Sequence, residues 1–237
     1  MCGRFAMSQE ADDLIQEFVA EGGDFRDWRP GYNIRPTDTV ATVIRSSTGS
    51  GNSIRRLEPA RWSLTPSWSK TLKTSYPTFN ARSEGITEKA TWRACVRQQR
   101  ALVVADGYYE WQTDPITKLK TPYYLSPADG QLLAFAGLYN WWKNPALSDG
   151  DPRQWILTTT ILTSDAVDEL VHIHDRNPVP LPRGWWDRWL DPSVIGDQGL
   201  VDAAVEAALP VAEKLDVRRV APLPPNGDGA DLIRQVD

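Results

Sequence analysis

The residue with the most distinctive chemistry is Cys2, in the opening tripeptide Met1-Cys2-Gly3. Cytosolic processing removes an initiator methionine when the second residue is small, so Cys2 is predicted to become the N-terminal residue. An α-amine has a pKa of about 7.7–8.0 against about 10.4 for lysine, so it is far more often neutral near neutral pH. Such an amine forms a Schiff base with an aldehyde, and the adjacent thiol can close a five-membered thiazolidine ring. The tripeptide predicts a bifunctional nucleophile, with an incidental cysteine as the alternative.

Two further segments place polar side chains where they could assist such a nucleophile. In FNARSE (79–84), Asn80 and Arg82 are two positions apart, and such residues of a strand face the same side. In DGYYEWQ (106–112), Glu110 lies among aromatic residues, where desolvation raises the pKa of a carboxyl group and favours acid–base chemistry. The alternatives are a polar surface strand for the first segment and a glutamate paired with an arginine for the second.

The two histidines of the chain both lie in HIHDRNP (172–178). A structural metal site needs three or four ligands, and the sequence has no other cluster of Cys and His, so no metal is predicted. His174 is instead a candidate for acid–base chemistry near neutral pH. In an extended segment Arg176 shares its face and could bind phosphate.

The tryptophans divide into candidate ligands and candidate core residues. Trp68 follows a proline-containing turn in RWSLTPSWS (61–69) and is a candidate to stack on a nucleobase, a contact worth about 1–3 kcal/mol. Trp185, Trp186 and Trp189 are expected to pack in the core.

The net charge of −5 opposes a nucleic-acid partner, because phosphate affinity comes from lysine and arginine. A binding groove nevertheless needs only a local basic stripe. The segment 82–100 can supply one, with Arg82, Lys89, Arg93, Arg97 and Arg100. Charge alone therefore neither supports nor excludes a nucleic-acid partner.

Length and composition favour an ordinary globular protein. The 237 residues are 41% hydrophobic and 24% charged, and a single domain over residues 1–237 is predicted. No run approaches the roughly 18 apolar residues that span a bilayer, and the N-terminus has no signal peptide. The two cysteines, Cys2 and Cys95, are far apart, which favours a reducing compartment. A cytoplasmic monomer that does not bind membranes is expected.

Strand-like segments come in runs rather than alternating with long helices, which predicts an α+β fold. We expect a mainly antiparallel sheet with a β-barrel-like core and peripheral helices. Strands are predicted at residues 39–45, 100–112, 122–127, 132–142 and 154–164, the third and fourth being paired through a turn at 128–130. Helices are predicted at 8–21, 88–100, 165–171, 201–209 and from residue 185, and a docked segment at 231–236.

Six motifs in this order resemble those of the SRAP family, the SOS-response-associated peptidase-like or abasic-site processing proteins. They are MCGRF (1–5), YNIRP (32–36), RW-x-L-x-P-x-W (61–68), FNARSE (79–84), DGYYEW (106–111) and IHDR-x-P (173–178). Each motif alone is weakly specific, whereas the ordered set is strongly specific. The resemblance implies a barrel-like α+β fold with a groove for single-stranded DNA.

The resemblance also implies roles for individual residues. Cys2 would link covalently to the aldehyde of an abasic site as a thiazolidine, and Asn80 would position its amine and the sugar oxygen. Glu110 would act as acid and base. His174 would take part in ring opening, in reversal of the linkage and in a weak lyase activity. The expected DNA contacts are Arg4, Pro36, Trp68, Arg82, Lys89, Thr163 and Arg176. This chemistry requires neither a metal nor an organic cofactor, and autoproteolytic exposure of Cys2 is a further option.

Two other classes of protein remain open at this point. One is an N-terminal-nucleophile cysteine hydrolase similar to the glutamine amidotransferases, whose Arg-Gly-Pro-Asp motif is absent from this sequence. The other is a module that binds single-stranded DNA without covalent chemistry. A glutaminase assay separates the first from the abasic-site hypothesis, and the absence of a denaturant-resistant complex would identify the second.

Overall fold

The computed structural model describes residues 2–18, 20–25, 28–47 and 53–236. This part of the chain forms thirteen strands and four α-helices, numbered here in chain order. The strands are β1 (Phe5–Met7), β2 (Glu21–Gly22), β3 (Gly31–Ile34), β4 (Thr39–Ser47), β5 (Ser53–Trp62), β6 (Asn80–Arg82), β7 (Arg100–Ala105), β8 (Gly107–Thr113), β9 (Lys120–Pro127), β10 (Leu133–Lys143), β11 (Trp155–Asp165), β12 (Arg176–Pro178) and β13 (Leu215–Arg219). The helices are α1 (Ala11–Phe18), α2 (Ala90–Gln98), α3 (Trp186–Leu190) and α4 (Gln198–Ala212).

Five of the strands close into a barrel. β4 pairs with β5 on one side and β7 on the other, and β10 joins β7 to β11, all in antiparallel fashion. The barrel closes where β11 meets β5 in parallel, with Arg61 beside Thr158. Closure leaves these strands without the exposed edges that an open sheet presents to other chains. The predicted α+β fold, mainly antiparallel and with a barrel-like core, is confirmed.

A second sheet lies beside the barrel, in the order β13–β9–β8–β1–β3, with all neighbours antiparallel. The segment predicted as one strand over 100–112 passes from the barrel into this sheet, with Asp106 between its two halves. Gly107 begins β8, where a Cβ atom would lie 2.5 Å from the carbonyl oxygen of Leu125 and 2.6 Å from the ring of Tyr124. Only glycine fits at this crossing between the sheets.

The C-terminal half of β11 carries a strand on each flank. Asn80 of β6 pairs in parallel with Ile161, and Arg176 of β12 pairs in antiparallel fashion with Asp165. Two segments that are almost a hundred residues apart in the chain are thereby held at one end of the same strand. This arrangement positions the candidate site.

The helices largely follow their predicted positions. α1 is shorter than the predicted segment 8–21 and buries Leu14 and Phe18, while Val19, expected on the same face, lies outside the described residues. α2 and α3 lie where predicted, and α4 extends beyond both ends of the predicted segment. Within the described ranges no helix has the length and apolar character that a membrane crossing requires.

Two expectations about local structure are wrong. The predicted helix at 165–171 does not form: β11 continues to Asp165, Ala166 and Val167 bond to the returning segment at Asp175 and Asn177, and turns follow at 168–173. The strands over 122–127 and 132–142 form, as β9 and β10, but they do not pair with each other. β9 pairs with β8 and β13 in the second sheet, whereas β10 belongs to the barrel.

Arg100, which the basic stripe of the sequence includes, lies in the core with only 2% of its surface exposed. Its guanidinium group donates to five backbone carbonyl oxygens at 2.5–2.9 Å, those of Val96, Arg97, Trp189, Asp191 and Val194. These carbonyls belong to the C-terminal part of α2, to α3 and to the loop after α3. A single side chain therefore joins two helical regions to the barrel.

Replacing this side chain by one of similar length without donors, Arg100→Met, should lower the free energy of unfolding by at least about 3 kcal/mol, because several buried carbonyls lose their partners. Urea unfolding measures the change. The matched control is Arg97→Met, whose side chain is exposed and should change stability by less than about 0.5 kcal/mol. Equal unfolding midpoints for Arg100→Met and the wild type would contradict this role.

Candidate functional site

Cys2 precedes β1 and is fully buried. Its Sγ lies 3.9 Å from the carbonyl oxygen of Arg4, which also accepts the backbone N–H of Tyr109 at 2.9 Å. Burial raises the pKa of the Cys2 thiol, and the negative charge of Glu110 raises it further. In this chain the thiol is therefore protonated at neutral pH. Met1, whose removal the sequence predicts, lies outside the described residues.

Asn80 contacts the Cys2 backbone directly. Its side-chain Nδ2 donates to the Cys2 carbonyl oxygen at 2.6 Å. The pairing of β6 with β11 fixes this side chain, since Asn80 is the first residue of the strand and lies beside Ile161. The Oδ1 atom of Asn80 is buried and has no hydrogen-bond partner within the described residues. The amide therefore holds the cysteine on one side and keeps an acceptor for a ligand on the other.

Glu110 lies on β8 with only 4% of its surface exposed. Burial raises the pKa of its carboxyl group, while the nearby charge of His174 opposes the shift. Tyr108, two positions earlier on the same face of β8, lines with Glu110 and His174 a small enclosed cavity. The carboxyl group is thus placed to exchange a proton at a site largely closed to water.

His174 follows the turns after β11 and is held through its Nδ1 atom. The backbone N–H of Arg176 donates to Nδ1 at 3.0 Å, and a carboxylate oxygen of Asp175 lies 2.8 Å from the same atom. A backbone N–H can only donate, so Nδ1 is the acceptor in the contact with Arg176. We assign the Asp175 contact a minor role, because 83% of its side chain is exposed.

Two predicted DNA contacts have buried side chains. Thr163 is fully buried, and Arg176 is 7% exposed. The Arg176 guanidinium donates to both carboxylate oxygens of Glu84 at 2.9 Å, to Asp165 at 2.6 Å and to the Thr163 carbonyl oxygen at 2.6 Å. This network orients the segment that carries His174, and these side chains do not face solvent.

The other predicted DNA contacts lie nearer the surface. Trp68 is 60% exposed, Arg82 and Lys89 are exposed, and Pro36 is half-buried in the turn between β3 and β4. Arg4 is half-buried and donates to Oδ1 of Asn33 at 2.5 Å.

Two residues that the sequence analysis did not select, Asn33 and Tyr108, also belong to this region. Burial raises the pKa of the Tyr108 hydroxyl, and electrostatic interactions with Cys2 and Glu110 raise it further. Tyr108 and Glu110 line the same small cavity. Asn33 and Tyr108 lie inside the quoted motifs YNIRP and DGYYEW. The motifs were thus the available signal, but they do not distinguish which of their side chains face the site.

The site combines a buried cysteine, an amide, a carboxylic acid of raised pKa and an imidazole. Within the described ranges, no group of three or more His, Cys, Asp and Glu side chains is arranged to hold a metal ion. The chemistry available from these groups is nucleophilic attack assisted by proton transfer.

Comparisons with known proteins agree on the relationship. Abasic site processing protein YoqW of Bacillus subtilis is 37% identical over 198 residues, which cover 81% of this chain and 81% of that protein. Abasic site processing protein HMCES of Xenopus tropicalis is 32% identical over 228 residues, covering 81% of this chain and 66% of that protein. A crystal structure of a Bacteroides thetaiotaomicron protein shares the fold, with a TM-score of 0.79 at 20% identity over 99% of this chain and 100% of that one. The family model for SOS response associated peptidase (SRAP) matches residues 1–223, and the chain therefore belongs to the SRAP family.

Proposed function

We propose that this protein processes abasic sites in single-stranded DNA by forming a covalent bond between Cys2 and the ring-opened sugar. The observation that carries the proposal is the hydrogen bond from Asn80 to the Cys2 carbonyl, beside a buried Glu110 that interacts with His174. The names of the relatives support the substrate, since they are abasic site processing proteins. The proposal requires the chain without Met1, because only then does the α-amine belong to Cys2.

The proposed reaction joins one aldehyde to two groups of the same residue. The α-amine adds to C1′ of the open-chain sugar, and loss of one water molecule gives an imine. The Cys2 sulfur then adds to the imine carbon while the thiol proton passes to the nitrogen, which closes the thiazolidine ring. Ring closure is favoured because an oriented intramolecular attack has an effective molarity of about 10⁵ M or more.

The surrounding groups move the protons of these steps. Glu110, whose carboxyl pKa is raised by burial, is placed to donate a proton to the departing hydroxyl and to take one back during reversal. His174 offers the proton on Nε2, since its Nδ1 is occupied by the Arg176 backbone. The free Oδ1 of Asn80 orients the attacking amine or a sugar hydroxyl. Elimination from the imine would produce a weak lyase activity.

The exposed residues around the site form the proposed DNA path. Trp68 stacks on a base, while Arg82 and Lys89 contact phosphates on the same side of the protein as β6 and α2. Arg4 and Pro36 contact the strand beside the lesion. Thr163 and Arg176 contribute by shaping the site from within, because their side chains are buried.

Substitution of the nucleophile tests the covalent step. Cys2→Ala should abolish the covalent band while retaining non-covalent DNA binding, because the remaining amine cannot form a ring. Cys2→Ser should retain imine chemistry and some lyase activity. The assay is a denaturing gel of purified protein with uracil-containing single-stranded DNA that has been treated with a uracil glycosylase.

The matched control for that experiment is Cys95→Ala, which alters the other buried thiol of the chain and should retain full crosslinking. Intact-mass measurement of the same samples establishes whether Met1 has been removed. A covalent band that persists in Cys2→Ala, or one formed by protein that keeps Met1, would contradict the proposal.

The raised pKa of Glu110 predicts opposite effects of Glu110→Gln on activity and stability. In the unfolded chain this carboxyl releases its proton near its usual pKa of about 4.3, whereas the folded protein holds the proton to a higher pH. Ionisation of Glu110 therefore destabilises the folded state as pH rises through that interval. Glu110→Gln should slow crosslinking at least tenfold, by analogy with the usual effect of losing a general acid, and should raise the unfolding temperature at neutral pH.

The gain in stability should disappear below about pH 4, where the wild-type carboxyl is protonated in both states. Thermal unfolding from pH 4 to 8, together with crosslinking rates over the same range, measures both effects. A stability difference that does not change with pH would show that Glu110 is not held by burial in its neutral form.

A further inference from the structure

The segment that follows the family match docks beside the candidate site. The family model ends at residue 223, and the chain then runs over β3. The side-chain Nδ2 of Asn33 donates to the carbonyl oxygens of Pro224 at 3.3 Å and Gly227 at 2.5 Å. The backbone N–H of Tyr32 donates to Oδ1 of Asp228 at 2.6 Å. The sequence predicts a docked segment at 231–236, and there Val220 bridges to Gln235.

This docking creates a polar cavity, here called the β3 pocket. It has a volume of about 690 Å³, and its walls include Asn33, Arg35, Asp38 and residues 226–228. Asn33 is also the partner of Arg4, whose guanidinium donates to its Oδ1 at 2.5 Å. Arg4 is two residues after Cys2 in the chain, so its hydrogen bond to Asn33 connects the wall of the β3 pocket to the segment that carries the proposed nucleophile.

Two arginines and two aspartates line the β3 pocket, and two further arginines approach it from outside the lining. Arg29 and Arg35 line it, Arg4 approaches it through Asn33, and Arg61 donates to the carbonyl oxygen of Thr37 at 3.1 Å. The Nε atoms of Arg4 and Arg61 are buried without hydrogen-bond partners among the described residues. Burial lowers the pKa of the Arg4 guanidinium, and the positive charge of Arg35 lowers it further. An anion at this position would stabilise both cations.

The two carboxylates at the β3 pocket, Asp38 and Asp228, are partly neutralised by backbone donors. Asp38 accepts the backbone N–H of Arg35 at 2.9 Å, and Asp228 accepts that of Tyr32. Thr37, between Pro36 and Asp38, has a φ of 82°, a left-handed conformation that is strained in a non-glycine residue. Such strained backbone is concentrated at ligand sites, and here it lies in the wall of the β3 pocket.

We propose that the β3 pocket binds a backbone phosphate of the DNA strand next to the lesion, with Arg35 as a direct contact, and that the C-terminal segment 224–228 builds this pocket. The inference rests on the proposed function, since the ligand is the same strand that carries the abasic site. The side-chain Oδ1 of Asn226 accepts from Arg35 at 3.4 Å, which orients the guanidinium towards the cavity. The segment thus helps to position two arginines. It contacts Arg35 through Asn226 and supports Arg4 through Asn33.

Removing the Arg35 side chain tests whether the β3 pocket binds a DNA phosphate. Arg35→Ala should weaken binding of single-stranded DNA about fivefold at 0.1 M salt and should reduce the slope of log K against log salt by about 0.7, as expected for one phosphate. The control is Arg153→Ala, which removes an exposed arginine paired with Asp151 at the far end of β11. Fluorescence anisotropy with a labelled oligonucleotide measures both quantities, and an unchanged slope in Arg35→Ala would overturn the assignment.

A second substitution tests the role of segment 224–228, because the proposal and simple electrostatics predict opposite changes in DNA affinity. Asp228→Ala removes a negative charge, which by simple electrostatics would strengthen DNA binding, but it also releases the segment from Tyr32. We expect weaker binding, by at least twofold, because the pocket loses a wall and Asn33 loses its anchor. Tighter binding would show that the segment blocks the strand and would overturn the proposal.

The crosslinking assay separates this inference from the proposed function. Below saturation with abasic DNA, Arg35→Ala and Asp228→Ala should crosslink more slowly than the wild type, in proportion to their weaker binding, whereas Arg153→Ala should match the wild type. If the wild type forms no covalent product, the proposed function fails. If the wild type crosslinks and both variants bind DNA as it does, the β3 pocket alone is refuted.

Discussion

The site depends on the pairing of β11 with strands on both of its flanks. Parallel pairing with β6 positions Asn80, and antiparallel pairing with β12 positions the segment that follows His174. The ion pairs from Arg176 to Glu84 and Asp165 then connect the three strands. Because the backbone N–H of Arg176 also donates to Nδ1 of His174, strand pairing determines which imidazole nitrogen acts as an acceptor there, as well as where the ring lies.

Burial determines the order in which the groups of Cys2 can react. A cysteine hydrolase needs a thiolate, which a cationic environment supplies by lowering the thiol pKa. Here burial raises the pKa of the Cys2 thiol, and the electrostatic influence of Glu110 raises it further. The thiol is therefore poorly suited to begin a reaction. An α-amine, with its pKa near neutrality, is the better first nucleophile, and the sulfur is better suited to close a ring on an imine. The same environment that weakens the hydrolase alternative supports the order of steps in the proposed mechanism.

The sequence predicted local chemistry better than it predicted connections between strands. Cys2, Asn80, Glu110 and His174 stand in motifs whose residues are close together in the chain, and the structure brings these four side chains into one region, although their catalytic roles remain predictions. The pairing of strands is a long-range property. β9 and β10 follow each other as a hairpin would, yet a closed barrel needs β10 between β7 and β11. β5 was not predicted at all, because Arg55, Arg56 and Glu58 interrupt the alternation that marks a half-buried strand.

The sequence also did not predict which charged side chains are buried. The basic stripe at 82–100 contains Arg100, which looks like its exposed neighbours in sequence and is enclosed by five carbonyls in the fold.

The overall charge has a consequence for how the proposed reaction could be specific. A chain with a net charge of −5 gains little from undamaged DNA, since non-specific binding depends on phosphate neutralisation. Three arginines, Arg4, Arg35 and Arg61, nevertheless lie in or next to the walls of the β3 pocket. Electrostatics then positions a strand without retaining it, and retention comes from a bond that only an aldehyde can form. Undamaged DNA has no such carbonyl. In the proposed reaction, discrimination between damaged and undamaged strands would therefore follow from covalent chemistry, without base-specific contacts.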